Sequence, residues 1–124
     1  AFRETITEEH ELWVWHGTGA DDGNAPGVLV SYEPNPGSGF EFSSCVSEDV
    51  LPQSAAKSFL TGTQQALQLG LRAGFAVGDV RVRVLDAVRC SMSTPAEVLE
   101  DMGRAALQRA KAHLKATILE PLMA

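Results

Sequence analysis

Residues 79–97, DVRVRVLDAVRCSMSTPAE, decide how the rest of the chain is read. Val80, Val82 and Val84 alternate with Arg81 and Arg83, the two-residue period of a strand with one buried face. Thr94-Pro95-Ala96-Glu97 reads as a helix start. Thr94 is the expected N-cap, Pro95 takes the first helical position and Glu97 sits at N3, which together make a capping box. Between strand and helix, Ala87–Ser93 is expected to be a loop presented from rigid elements on both sides, the usual setting for a contact group.

Upstream of this stretch the pattern favours short strands. Glu11–Trp15 is aromatic and branched, with Trp13 and Trp15 on one face and Leu12 and Val14 on the other; Val28–Tyr32 ends against Pro34, and Phe40–Val46 alternates again. His16–Gly27 is a glycine-rich loop, and Asn35–Gly39 is a turn by composition. Residues 1–9 read as extended and exposed. A helix is expected from Pro52 to just before Gly70, burying Ala56, Phe59, Leu60, Thr63 and Leu67. A last helix, from Pro95 to about Lys115, carries the stripe Leu99, Met102, Ala106, Ala110 and Leu114. Its acids lie near its start, and Arg109, Lys111, His113 and Lys115 near its end, where they complement the helix dipole and read as a solvated cluster.

The predicted order is β-β-β-α-β-α, an α+β fold with a four-stranded sheet and two helices on one face. The first two strands form a hairpin, and the third runs antiparallel to the second. If the helix returns the fourth strand parallel to the third, both loops leave one edge of the sheet. His16–Gly27 and Ala87–Ser93 would then form a single tip.

Composition narrows the function. The chain has 124 residues, 44% hydrophobic and 21% charged, as expected of a single globular domain. No apolar run approaches the length of a membrane span, and the polar, acidic AFRETITEEH is not a targeting peptide. The missing initiator Met and the abrupt LEPLMA ending lead us to expect one domain, 1–124, excised from a larger protein. Cys45 and Cys90 make no disulfide scaffold, so a cytoplasmic setting is expected, and Cys45 reads as a small apolar filler. A net charge of −6 argues against a general nucleic-acid binder, and neither DNA nor a membrane is an expected partner. The charge is uneven, however: Arg3 and Lys57 are the only basic residues before Arg72.

Several segments resemble one family. AFRETI is similar to the start of domain IV in elongation factor G-type translational GTPases. Tyr32-Glu33-Pro34 with Pro36–Phe42 resembles its EPL-PGSG stretch, and Ala73-Gly74-Phe75 with Gly78-Asp79-Val80 its AGYPVVDV segment. Ile118–Met123 resembles the closing LLEPIM. Ser43–Ser47, Gln53-Ser54 and Ser93–Ala96 are closest to ESSVS, NQSF and VSTPADF of the tetracycline-resistance ribosomal protection proteins.

The resemblance implies a ribosomal protein S5 domain 2-like fold with a left-handed crossover. It also implies a non-catalytic, ribosome-binding domain whose partners are the ribosome, small-subunit ribosomal RNA and neighbouring domains of its parent. Its tip loops, His16, Gly17, Thr18 and Gly19 with Val88, Arg89, Cys90 and Ser91, would reach the decoding region. In the protection proteins such loops displace tetracycline; in elongation factors they help move tRNA and mRNA. GTP and magnesium are implied only for the parent, and no GxxxxGK[ST] phosphate loop occurs here.

This chain departs from the family at the tip. The first loop lacks the usual glutamine and carries Asp21 and Asp22, carboxylates that RNA phosphates repel. The elongation-factor histidine falls at Cys90, and the protection-protein aromatics fall at Val88 and Arg89. Arg89 can stack or pair with phosphate in their place. Three other readings are weighed. A degenerate interaction module would keep the fold without RNA binding. A Cys90–His16 nucleophile pair lacks an orienting third group, and a metal site from His16, Asp21, Asp22 and Cys90 lacks a defining spacing.

Overall fold

The computed structural model describes residues 3–17, 20–71, 74, 76–114 and 116–119. In chain order the elements are β1 (Arg3–Ile6), β2 (His10–Trp15), β3 (Gly27–Pro34), β4 (Glu41–Ser44), α1 (Gln53–Gln68), β5 (Val80–Val88), α2 (Ala96–Ala110) and β6 (Ala116–Leu119). The main sheet has the order β2-β3-β5-β4, and β1 and β6 form a separate pair. The expected directions hold, with β5 antiparallel to β3 and parallel to β4. The sequence pattern does not reveal that β5 inserts between β3 and β4.

Side-chain alternation divides the sheet into two faces. Val14, Val28, Val30, Tyr32, Val80, Val82 and Val84 share one hydrophobic cluster with Phe59 and Leu67 of α1 and with Leu99, Met102 and Leu107 of α2. Both helices therefore cover this face. On the open face Arg81 pairs with Glu41 at 3.2 Å and with Glu33 at 3.9 Å, while Arg83 is held by Glu33. The Arg81–Glu41 pair, exposed on both sides, contributes roughly 0–1 kcal/mol.

One irregularity matters for the tip. The β3–β5 register slips between Leu29 and Val30, which pair with Asp86 and Val84 and leave Leu85 unpaired. Strict alternation from Val80 would turn Asp86 into the core. The bulge restores Ala87 to the interior, 3% exposed, and leaves Asp86 in solvent.

The helices dock backbone to backbone. A Cβ on Gly62 of α1 would lie 2.0 Å from the Glu100 carbonyl oxygen, and one on Gly103 of α2 would lie 2.3 Å from that of Phe59. Only glycine allows this approach. The predicted α1 stripe is buried except for Leu60, which is half-buried. The predicted α2 stripe is buried throughout, but the helix ends at Ala110, short of Lys115, and Leu114 lies beyond it.

Four expectations are corrected. The capping box does not form: Pro95 is the N-cap residue of α2, with no side-chain bond. The Thr94 hydroxyl instead accepts the Ser91 N–H at 3.0 Å within the preceding turn. Residues 1–9 are not uniformly exposed, because β1 buries Glu4, Thr5 and Ile6 and pairs antiparallel with β6. Ala87 and Val88 belong to β5, so the second loop begins at Arg89. Cys45, read from the sequence as a small apolar filler, is exposed. Ala73, Phe75 and the Glu120–Met123 part of the closing motif lie outside the described residues.

Candidate functional site

The site is the end of the sheet to which β2 and β5 run. Trp15, Gly27 and Val88 lie in one register row, so the loops that follow β2 and β5 leave the sheet side by side. They also touch. Arg89 Nε donates to the Ala25 carbonyl oxygen at 2.7 Å, and Nη2 pairs with the Asp21 carboxylate. Its guanidinium lies 5.8 Å from the Trp15 ring centroid, within cation–π range. Arg89 reaches these partners from a left-handed backbone conformation, φ 54°.

The aspartates that looked anomalous beside RNA have structural employment. Asp22 Oδ1 accepts the N–H groups of Asn24 and Ala25 at 2.8 Å each, and Asp21 Oδ1 accepts that of Gly23 at 2.9 Å. These are side-chain-closed turns that hold the first loop in shape without regular structure. The backbone N–H donors stabilise the charged form of Asp22 and hold its carboxyl below its ordinary value.

The second loop is closed by its own hydroxyls, with Ser91 and Ser93 Oγ 2.9 Å apart. Met92 projects from it, 76% exposed. Cys90 Sγ lies 3.5 Å from the Val88 carbonyl oxygen and 3.8 Å from that of Gly27. Burial pushes its thiol pKa up, the opposite of what an activated nucleophile needs, so the thiol–imidazole reading loses its support. Among the described residues, no group of three or more His, Cys, Asp or Glu side chains gathers in one place.

Of the residues expected at the tip, the structure brings His16, Gly17, Val88, Arg89, Cys90 and Ser91 to this end of the sheet. Thr18 and Gly19 lie outside the described residues. Sequence reasoning missed a third contributor. Because β4 runs parallel to β5, the chain leaving it also arrives here, and Glu48, Asp49 and Pro52 face Cys90–Ser93 across an open cleft of about 540 Å³. The Glu48 carboxylate accepts the Gln53 N–H at 3.1 Å and so serves the start of α1. The parallel arrangement already anticipated for the third and fourth strands contained this signal.

The sequence also put Trp13 and Trp15 on one side of their strand. They lie on the open face, half-buried and stacked, with centroids 5.0 Å apart and planes 9° from parallel. Gly27 gives Trp15 its place, since a Cβ there would meet the indole at 2.1 Å. Trp13, Trp15 and Arg89 thus form a continuous ridge leading to the tip.

Known proteins resemble this chain. The family described as Elongation factor G, domain IV matches residues 1–113. An elongation factor G of Rhodopseudomonas palustris (strain BisB18) is 36% identical over 99% of this chain, which spans 18% of that protein's length. A crystal structure of a Thermus thermophilus protein superposes on 97% of this chain with a TM-score of 0.81 at 21% identity, covering 18% of its own chain. That last likeness bears on the fold alone. The first two establish that this chain belongs to the elongation factor G domain IV family.

Proposed function

We propose that the chain is the ribosome-contacting domain of a translational GTPase and that its tip touches ribosomal RNA of the small subunit. The observation that carries this reading is the junction of the two tip loops through Arg89, bound to Ala25 and Asp21, in a chain of this family. The domain supplies no chemistry of its own in this proposal; GTP hydrolysis belongs to the remainder of the parent. Binding would rest on shape, on Arg89 and on the indole ridge. Base stacking on such groups contributes roughly 1–3 kcal/mol per base.

Two activities fit such a domain. Translocation is favoured by the 36%-identical relative, an elongation factor G. Displacement of tetracycline is favoured by the sequence at Ser43–Ser47, Gln53-Ser54 and Ser93–Ala96. Cells dependent on the full-length parent distinguish them, since only the second activity raises the tetracycline concentration they tolerate.

Co-sedimentation of the full-length parent with ribosomes tests the shared proposal. Arg89→Ala is expected to weaken association by about tenfold, the loss of one stacked or charge-assisted contact. Unchanged binding would favour an interaction module that kept the fold and lost its RNA contacts.

A further inference from the structure

Beside the first tip loop a cavity of about 230 Å³ opens between the end of β2 and the flank of α2. Trp15, His16 and Gly17 line one side, and Asp101, Ala105 and Arg109 the other. The last three are spaced four residues apart and form one stripe of the helix.

Their charges are unequally satisfied. The Asp101 carboxylate is engaged by Arg104, whose guanidinium also donates to Gln65. Arg109 is half-buried, and its Nη1 is buried with no hydrogen-bond partner among the described residues. The basic cluster at the end of α2, which reads from the sequence as a solvated helix end, is therefore not uniformly so. A donor nitrogen held out of water with no partner among the described residues is unfavourable, and a shift of this half-buried side chain toward an anion in the cavity relieves it. Of the cavity's charged walls, the acid is neutralised within the protein and the base is not.

We infer that this cavity is an oxyanion site for a phosphate group, with Arg109 as the charge partner and His16 and Gly17 at the rim. The identification of phosphate rests on the proposed function, since RNA presents a phosphodiester at every nucleotide. Arginine is suited to it because its planar donor fork matches phosphate oxygens. The site stands apart from the Arg89 junction: it lies on the flank of the sheet, and its charged residue comes from α2, which the family's tip motifs do not include.

The test follows the arginine Nε–Hε resonances of the 124-residue chain by NMR at constant ionic strength. Inorganic phosphate is titrated in one arm and a short single-stranded RNA in the other. The Arg109 signal is expected to shift saturably in both arms, and both shifts are expected to disappear in Arg109→Gln. Response to phosphate but not to RNA supports a site for free phosphate and overturns the RNA source. No saturable shift in either arm overturns the site, and this result needs only the wild-type chain. Failure here with intact ribosome binding removes the pocket alone. A responsive pocket in a parent that does not bind ribosomes removes the proposed function alone.

Discussion

β5 is bracketed by Asp79 and Arg89, the two non-glycine residues with positive φ among the described residues, at 55° and 54°. The backbone strain is alike, but the surroundings differ. At the base, the Asp79 carboxylate accepts the N–H groups of Gly37 and Gly39 at 3.2 and 3.0 Å, and its carbonyl oxygen accepts that of Asn35 at 2.8 Å. Its side chain is 14% exposed, and these bonds tie β5 to the 35–39 turn. At the tip, Arg89 is 35% exposed and its ion-pair partner Asp21 is 46% exposed. Water, or a competing phosphate, reaches that pair freely. One end of the strand uses a left-handed residue to fasten the fold, and the other uses one to present a cation that an outside group can take over.

The largest expected effect is at the base. Asp79→Ala removes two charge-assisted bonds and leaves a Cβ residue in the left-handed region, so chemical denaturation should show a loss of about 3 kcal/mol. Asp79→Gly sharpens the comparison, because it releases the strain and removes only the bonds; its loss should be smaller by about 1 kcal/mol. If the two variants are equally unstable, the strain is not being held by those bonds.

Arg89→Gly should behave in the opposite way. It gives up the exposed pair with Asp21, worth roughly 0–1 kcal/mol, and the bond to Ala25, worth roughly 1 kcal/mol, and gains about as much from relief of φ. Unfolding midpoints should therefore barely move while ribosome association falls. A large loss of stability would make Arg89 a fastening like Asp79 and blur the contrast.

Reactivity gives a smaller and cheaper check. Cys45 is exposed and Cys90 is partly buried with its thiol pKa raised. At mildly alkaline pH, iodoacetamide should label Cys45 roughly ten times faster, as read by mass spectrometry of the peptides. The smallest effect concerns Asp22. Its folded pKa is lowered from 3.8, so its contribution is fully present above that value and is lost as the pH falls through the depressed folded pKa. A carboxyl NMR titration should place the Asp22 midpoint below that of the same residue in unfolded peptide, and Asp22→Asn should remove this part of the acid dependence.

Where a residue's neighbours along the chain decide its role, the sequence could be read directly. Val80, Val82 and Val84 do face the core and Arg81 and Arg83 do not, and both helix stripes lie where their periodicity puts them. Distant partners were the obstacle. Glu4 looked like part of a polar tail, yet it is 1% exposed because its carboxylate accepts the Leu71 N–H, a bond between residues 67 apart. Thr94 has the right chemistry for a cap and spends it on Ser91. Asp21 and Asp22 read as liabilities until the turns they close, and Arg89 beside them, came into view. The shared tip followed from strand direction alone, and the same direction implied its third segment; the Arg109 cavity required the packing of elements that no local pattern encodes.

The β1–β6 pair carries a mechanical consequence. Arg3 and Leu119 are ladder partners, so tension drawn between them pulls neighbouring rungs apart one at a time, like a zip, and does not slide whole strands past each other. The rungs of the main sheet, and the glycine-to-glycine seam between the helices, stay off that load path.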